Sequence, residues 1–277
     1  MSISVIMSTY VREKPEYLDA ALNSIWTEQS RKPDEIILVE DGPLTPDLYS
    51  IIDKWQDIIS DAMIIIKNER NMGLAASLNK GIEQAHGSLI ARMDSDDISC
   101  PERFMLQEKF MAEHPEVSIL GGAIREFCDN GTLDNIRQYP QNIEQVMATL
   151  HKASPLAHPT VMFRRDVFDQ GLRYSTRHYL CEDITLWFDA IRNKHTINNM
   201  PDIILHFRRN DSVIRRRSSE KAWSEFCAYN EGIRSVFGIM TTRYMYSAMR
   251  LAFRLMPTTV IKKIYDSKIR NLVTNAK

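Results

Sequence analysis

The chain has 277 residues, a formal net charge of −1 and 44% hydrophobic residues, enough for one large domain or two modest ones without a stabilising disulfide or structural metal. Its four cysteines are far apart and form no CxxC pair, which argues against a zinc knuckle or a disulfide framework and favours a reducing, cytoplasmic setting. No apolar run is long enough to span a bilayer, and the first residues lack the basic region of a secretory signal.

Charge is distributed unevenly along the chain. Residues 241–277 contain eight basic side chains against one acid, Asp266, which gives this part +7 and leaves −8 for the remainder. Such polarity makes anionic membranes or nucleic acid candidate partners for the C-terminal part. No nucleic-acid readout module is visible, so we do not expect nucleic acid to be a partner.

The first hundred residues alternate between strand and helix patterns. Strands are predicted at 3–10, 35–39, 63–66 and 87–91, and helices beginning at Pro15, Leu48 and Leu74. This alternation is typical of a doubly wound sheet with parallel strands, in which ligands bind at the carboxyl ends of the strands. Polar residues follow the predicted strands at Thr9 and Tyr10, Asp41, Arg70 with Asn71, and Asp94 to Asp97.

Three carboxylates, Asp94, Asp96 and Asp97, follow the fourth predicted strand. Like charges this close raise one another's pKa and cost free energy unless a cation lies between them. Mg²⁺ and Mn²⁺ prefer such oxygen ligands and complete their shells with water and phosphate oxygens. A metal-diphosphate site fits this stretch, and so does a solvated turn in which Asp97 caps a helix starting near Pro101. Neither GxGxxG nor a Walker motif is present, so a pyrophosphate would be held by metal and side chains.

The second half of the chain has less regular patterns. After the helix near Pro101 we predict a strand at 117–122, a surface loop at 130–141 and a strand at 158–164. His158 is either a ligand-contacting residue or a hydrogen-bonded structural histidine. Glu182 and Asp183 precede an amphipathic helix, where a pair of carboxylates also suits the helix dipole.

Five segments together resemble glycosyltransferase family 2 enzymes of the GT-A fold, in particular bacterial enzymes that build O-antigen and other surface polysaccharides. The segments are residues 4–10, 39–42, 68–74, 93–97 and 181–183. The resemblance implies an α/β fold with a mixed sheet flanked by helices and followed by a C-terminal helical segment. It is closest over the first hundred residues, fainter in the acceptor half and absent from about the last forty.

The same resemblance implies a domain division. Residues 1–215 would form the catalytic domain, with a nucleotide-sugar-binding half at 1–100 and an acceptor half at 101–215. Residues 216–277 would form a helical, basic C-terminal segment.

The resemblance also assigns donor-binding roles. Thr9, Tyr10 and Asp41 would contact the uracil of a UDP-sugar, although Asp41 also suits a turn-forming position. Arg70 would lie near the base or the diphosphate, or else be a surface arginine at the start of a helix.

In the same family the aspartates would form the DxD motif. Asp94 would touch the ribose and the metal, Asp96 would bind the metal, Mn²⁺ or Mg²⁺, and Asp97 would support the donor site or cap the helix. Relatives often have a histidine two residues after an arginine in the segment 205–213, a position that holds Asn210 here, so His206 is a candidate substitute as metal ligand.

Basic residues in the same region would contact the diphosphate. Arg208 is the candidate donor-binding residue, on a mobile loop with Arg209 and Arg215, Arg216 and Arg217; a solvated basic face is the alternative.

On the acceptor side, inverting transfer needs one general base to take the proton of the attacking hydroxyl. The resemblance places Asp183 in this role, with Glu182 positioning it or the acceptor, and places His158 beside the acceptor.

The final segment interleaves apolar and basic residues, a composition typical of helices in a membrane interface and also of helices that pack on a domain. The resemblance implies an acceptor that is a sugar on a polyprenyl diphosphate in the inner leaflet. We therefore expect the protein to be cytoplasmic and to make peripheral contact with the anionic inner leaflet of the inner membrane.

The sequence thus predicts an inverting, metal-dependent glycosyltransferase that moves glucose or galactose from a UDP-sugar to a lipid-diphosphate-linked sugar, with a β-1,3 linkage to GlcNAc or GalNAc. A nucleotidyltransferase of the same fold and a nonenzymatic nucleotide-sugar-binding subunit of a polysaccharide assembly are the alternatives.

Overall fold

Strand and helix alternate through the first hundred residues of the computed structural model, which describes residues 1–131, 133–209 and 218–256. The strands are β1 (Ile3–Thr9), β2 (Glu35–Glu40), β3 (Met63–Lys67) and β4 (Leu89–Asp94). The helices between them are α1 (Pro15–Trp26), α2 (Pro46–Ile59) and α3 (Leu74–Gln84). All four strands pair in parallel, in the order β3-β2-β1-β4, which confirms the predicted alternation.

The second half of the chain extends this sheet with antiparallel pairs and one long parallel pair, β6 with β9. Its elements are β5 (Ile98–Ser99), α4 (Arg103–Glu113), β6 (Ile119–Phe127), β7 (Asp134–Arg137), α5 (Ile143–Leu150), β8 (Met162–Arg164), α6 (Asp166–Asp169), α7 (Glu182–Arg192) and β9 (Ile197–Arg208). Among the described residues nine strands form one sheet in the order β3-β2-β1-β4-β8-β6-β9-β5, with β7 paired to β6. The sheet is therefore mixed, as the resemblance implied.

Two details of the sequence prediction are wrong. The predicted loop at 130–141 contains β7, whose four residues are exposed and carry no apolar alternation that would mark a strand. The predicted strand at 158–164 begins as a 3₁₀ turn, His158–Thr160, before β8. Pro159 has no N–H to donate to a ladder and so excludes this turn from the sheet.

Helices cover both faces of the sheet. Along β1, Val5 and Met7 contribute to a core that also contains Leu18 of α1, whereas Ile6 contributes to a core that contains Leu78 of α3. This division follows from the alternation of side chains along a strand. The second core also contains Trp187 of α7.

Two helices follow β9, namely α8 (Ser219–Phe237) and α9 (Tyr244–Leu255). α8 packs on α7 so closely that a Cβ on Gly232 would overlap the ring of Phe188. The expected C-terminal helical segment is therefore present, while the domain boundary predicted between residues 215 and 216 lies outside the described residues. Within the described ranges, no helix is both long enough and apolar enough to cross a bilayer.

Candidate active site

An aspartate cluster, consisting of Asp94, Asp96 and Asp97, lies where β4 ends. One carboxylate oxygen from each of the three lies within 4.8 Å of the others. Asp94 and Asp96 are half-buried, and Asp97 is 1% exposed. The sequence creates this arrangement because a fully buried strand ends abruptly in polar residues at the ligand-binding edge of the parallel half of the sheet.

Two buried arginines lie beneath the cluster. Arg92, 2% exposed, donates from both terminal nitrogens to the Asp94 carboxylate, with Nη1 2.7 Å from Oδ2. Arg103 is fully buried and donates from Nη2 to the carbonyl oxygen of Arg92 at 2.8 Å. Burial lowers the pKa of Arg103 to about 9. The two guanidinium groups partly compensate the charge of the aspartates, and sequence reasoning missed both.

Asp97 does not cap a helix. α4 begins at Arg103, whereas Oδ1 of Asp97 accepts a hydrogen bond from the backbone N–H of Arg208 at 2.8 Å, so the capping alternative is wrong. The Oδ2 atom is buried and has no hydrogen-bond partner. Burial, followed by the charges of Asp94 and Asp96, raises the pKa of Asp97 well above its ordinary value. A buried carboxylate oxygen without a donor suits a cation, so these residues fit Mg²⁺ or Mn²⁺.

Arg208 ties the cluster to the loop after β6. Its Nε donates to the carbonyl oxygen of Asp96 at 2.8 Å, and its Nη1 pairs with Asp129. The guanidinium also lies 4.0 Å from the ring centroid of Tyr17 and 4.6 Å from that of Phe127, within the range of cation–π attraction. Arg208 is the buried last residue of β9, so its predicted position on a mobile loop is wrong, while its predicted contact with a diphosphate stays a prediction.

The ends of β1 and β2 meet beside the cluster. The Thr9 hydroxyl is buried without a hydrogen-bond partner, and the Thr9 carbonyl accepts from the backbone N–H of Asp41 at 2.8 Å. The Asp41 carboxylate accepts from the N–H groups of Met72 at 2.7 Å and Gly73 at 3.0 Å, and from Asn68 Nδ2 at 3.1 Å. Asp41 therefore stabilises the turn that precedes α3. Its predicted contact with uracil is not tested by this geometry.

Three further side chains lie near the carboxyl ends of the parallel strands, where a nucleotide is expected to bind. Tyr10 is 37% exposed and Arg70 is exposed, so both are accessible, as a ligand contact would require. Glu13, in the loop after β1, accepts a hydrogen bond from the Ser95 hydroxyl at 2.6 Å. Burial raises the pKa of Glu13. Sequence reasoning missed Glu13 because a charged residue in a loop carries no local signal.

The acidic pair, Glu182 and Asp183, occupies the first turn of α7. Asp183 Oδ2 lies 3.4 Å from the Ser154 hydroxyl, which donates to it. Burial raises the pKa of both carboxyls, and the charge of Asp183 raises that of Glu182 further. The positive charges of Arg92 and Lys221 oppose this rise at both residues. Arg92 therefore interacts electrostatically with the aspartate cluster and with the acidic pair.

His158 is a hydrogen-bonded histidine in the structure. Its Nε2 lies 2.8 Å from the Tyr174 hydroxyl, and its ring centroid lies 6.0 Å from that of Trp187. Burial, followed by the charge of Arg92, lowers the pKa of His158 well below its ordinary value, so the ring is neutral. Its proposed contact with an acceptor stays a prediction.

His206 lies on β9, paired with Ile98 of β5. Its ring is 6.4 Å from that of Phe127, and burial and the charge of Arg125 lower its pKa. Among the described residues, the side chains close enough together to share one metal ion are those of the three aspartates, and His206 is not one of this group. Asn210 and the arginines at 215–217 lie outside the described residues.

A family model described as "Glycosyl transferase family 2" matches residues 4–172. This range extends from β1 past the aspartate cluster to the turn after α6, and so covers most of the sheet.

Two relatives match nearly the whole chain. The amylovoran biosynthesis glycosyltransferase AmsE of Erwinia amylovora is 31% identical over 95% of this chain and 97% of its own length. An Escherichia coli enzyme, named UDP-Gal:α-D-GlcNAc-diphosphoundecaprenol β-1,3-galactosyltransferase, is 31% identical over 98% of this chain and 97% of its own.

A solved structure shares the fold. The mannosyltransferase PcManGT of Pyrobaculum calidifontis, in complex with GDP-Man and Mn²⁺, superimposes with a TM-score of 0.63 at 14% identity, over 98% of this chain and 80% of that one. At this identity the likeness concerns the fold alone.

Proposed function

Because the chain belongs to glycosyltransferase family 2, we propose that it transfers a hexose, with inversion, from a UDP-sugar to a sugar carried on a lipid diphosphate. The name of the Escherichia coli relative supports this class of donor and acceptor. Galactose is therefore the first sugar to test and glucose the second, with a β-1,3 linkage to GlcNAc or GalNAc. Polysaccharide biosynthesis, including that of O-antigen, is the proposed context, at the cytoplasmic face of the inner membrane.

The observation that carries the proposal is the position of Arg92. It pairs with Asp94 in the aspartate cluster, and its charge also acts on Glu182 and Asp183. Coulomb attraction weakens with distance, so a cation that favours the ionised form of both carboxylates lies on the same side of the molecule as the acidic pair. Sugar transfer needs one carboxylate site for the donor and a separate one for the acceptor hydroxyl, and the aspartate cluster and the acidic pair would supply the two.

On the donor side, Asp94 and Asp96 would hold Mn²⁺ or Mg²⁺, with Asp97 as a further oxygen donor. The bound ion would stabilise the negative charge of the leaving diphosphate. The complex of PcManGT with Mn²⁺ supports this assignment. His206 is the remaining candidate ligand of the protein.

The nucleotide would lie along the ends of β1 and β2. There Thr9, Tyr10 and Asp41 would contact the base, and the unpartnered Thr9 hydroxyl is available to a ligand. Arg70 and Arg208 would contact the base or the diphosphate.

On the acceptor side, Asp183 would act as the general base. It would take the proton of the acceptor hydroxyl as that oxygen bonds to the anomeric carbon, while the bond from this carbon to the diphosphate breaks and its electron pair leaves with UDP. The raised pKa of Asp183 makes it a stronger base than an exposed aspartate. Glu182 would position it, and His158 would lie beside the acceptor.

The proposal is tested by a screen of donors and metals. Purified protein with Mn²⁺ or Mg²⁺ is given UDP-, GDP- and dTDP-sugars, with and without a synthetic GlcNAc- or GalNAc-diphosphate-lipid. We expect release of UDP that requires the metal, selects one UDP-sugar and increases with the acceptor.

Two variants make the screen specific. Asp96→Ala should abolish metal-dependent release, whereas the matched control Asp61→Ala, in an exposed turn outside the site, should not change it. Tight binding of UDP without release from any donor would contradict the proposal and favour a nonenzymatic subunit.

A further inference from the structure

Helix α9 presents an apolar face to the solvent. Its residues Met245, Ala248, Met249, Ala252 and Leu255 recur at intervals of three and four, so they share one side of the helix, and all are exposed. The exposed fractions of Met245, Met249 and Leu255 are 62%, 56% and 56%. We call these five residues the apolar stripe. A helix on a water-facing surface normally has the opposite orientation.

The polar side of the same helix attaches it to α8. The Ser247 hydroxyl donates to Asn230 Oδ1 at 2.9 Å, and Arg250 and Arg254 each lie 3.0 Å from an oxygen of Glu225. Ser247 is 1% exposed and Glu225 is 8% exposed, whereas the two arginines are half-buried, so these contacts are partly shielded from water. Polar contacts thus fix the rotation of α9 and hold the apolar stripe outward.

The apolar stripe lies in the part of the chain with the most exposed apolar side chains. Among the described residues, eight of the sixteen exposed large hydrophobic side chains lie between residues 223 and 256. Ile239 and Met240, just before α9, are 69% and 99% exposed. An exposed apolar surface of this kind marks a site of interaction with another molecule or a membrane.

We propose that the apolar stripe, with Ile239 and Met240, is the surface through which the protein docks on a bilayer of anionic phospholipids. The apolar side chains would enter the boundary between headgroups and acyl chains. Charge supports a lipid rather than a protein occupant, because residues 241–256 carry three arginines and no acidic side chain, and the sequence that follows, 257–277, adds a further +4, while the remainder of the chain carries −8. The acidic body would be repelled by the same surface, which orients the molecule with α9 toward the membrane.

This inference rests on the proposed function in one respect: an enzyme whose acceptor is carried on a lipid must reach that acceptor at a bilayer. The docking surface itself is argued from the exposed apolar side chains of α9 and of the two residues before it, and from the charge of the C-terminal part. Binding to vesicles can therefore be measured without a donor or an acceptor, so that failure of docking and failure of transfer are separate results.

The test compares the full chain with the triple variant Met245→Gln, Met249→Gln, Leu255→Gln. Co-sedimentation is measured with phosphatidylglycerol vesicles and with phosphatidylcholine vesicles. We expect the full chain to prefer phosphatidylglycerol, and the variant to bind it at least about tenfold more weakly, because three side chains that would enter the bilayer become polar. These positions are exposed, so folding and UDP-sugar binding should not change.

The matched control replaces exposed apolar residues elsewhere. Ile58→Gln with Met105→Gln, 50% and 41% exposed on α2 and α4, should leave vesicle binding unchanged. Equal binding by the full chain and the triple variant would overturn the proposal, as would failure of the full chain to bind phosphatidylglycerol.

A third variant asks what covers the stripe. Because the chain already has four tryptophans, the emission of Met249→Trp is read as its difference from the wild-type emission. This difference should be typical of an exposed indole in solution and should be quenched by brominated lipid when vesicles are added. Blue-shifted emission before any lipid is present would show that the stripe is already covered by residues 257–277 or by a second copy of the chain, and would overturn the proposal.

Discussion

The aspartate cluster and the acidic pair contain the same functional group, but the protein compensates their charges differently. Asp94 is held by both terminal nitrogens of the buried Arg92, and Asp97 accepts from a backbone N–H. At the acidic pair, Asp183 has a 3.4 Å hydrogen bond from Ser154, and the nearby charges only partly offset burial.

The difference matches two kinds of chemistry. Carboxylates fixed by buried cations keep their geometry and suit a metal ion, whose ligands must be placed accurately. Asp183, whose raised pKa is only partly offset by the charges of Arg92 and Lys221, suits proton transfer near neutral pH. The neighbouring charges and hydrogen bonds, rather than the residue type, distinguish the aspartate cluster from the acidic pair.

The largest expected effect is on the acidic pair. Asp183→Asn should reduce the rate of transfer by about 10²–10⁴, the contribution of a general base, while donor binding is retained. Single-turnover transfer and UDP-sugar titration measure the two quantities. Asp189→Asn, on the same helix and in an ion pair with Arg192, is the matched control. Near wild-type turnover of Asp183→Asn would exclude Asp183 as the base.

The next effect concerns the cation shared by both sites. Arg92→Met should lower the free energy of unfolding by about 3 kcal/mol, because it leaves Asp94 without its buried partner. Denaturant unfolding measures this change, with Arg192→Met, which breaks an exposed pair worth less than about 1 kcal/mol, as control. A loss as small as that of the control would show that Arg92 does not stabilise the cluster.

A smaller effect separates the sites by their response to metal. Mn²⁺ at about 100 times its dissociation constant should stabilise the protein by about 2.7 kcal/mol, seen as a rise in melting temperature. The rise should disappear in Asp96→Ala and persist in Asp183→Asn. If the rise persisted in Asp96→Ala, or disappeared in Asp183→Asn, the assignment of the metal to the aspartate cluster would be wrong.

The smallest effect is a shift in pH dependence. Asp183 must be ionised to accept a proton, so kcat/KM should rise with pH through its raised pKa. Lys221 favours the ionised form, and Lys221→Gln should therefore move this acid limb to higher pH, by less than about one unit. Lys109→Gln, on the exposed side of α4, is the control. A shift to lower pH would contradict the assignment of the limb to Asp183.

The parallel half of the fold could be predicted from sequence because its strands are continuous apolar runs separated by amphipathic helices. β5 has two residues and β7 is wholly exposed, so neither has a periodic signal. The mixed second half of the sheet depends on pairing between distant residues, as between Ile98 and His206.

Part of the site was equally accessible to sequence reasoning. The aspartate cluster and the acidic pair were identified as carboxylate groups at element ends, and the structure places both within the influence of Arg92. Arg92 itself and Arg103 were missed because a basic residue is usually exposed, although Arg92 lies two residues from Asp94 on one face of a strand, which is a usable signal.

The hydrogen bond from Arg208 to Asp97 also bears on how the protein folds. It joins residues 111 positions apart, and β5 pairs with β9 over a similar separation. Contacts of such long range form slowly because a large loop must close first. During synthesis the aspartates emerge from the ribosome well before Arg208, so the N-terminal sheet can begin to form while the cluster is still incomplete. The affinity of the aspartate cluster for metal should therefore appear late in folding, so that metal binding indicates that the chain has finished folding.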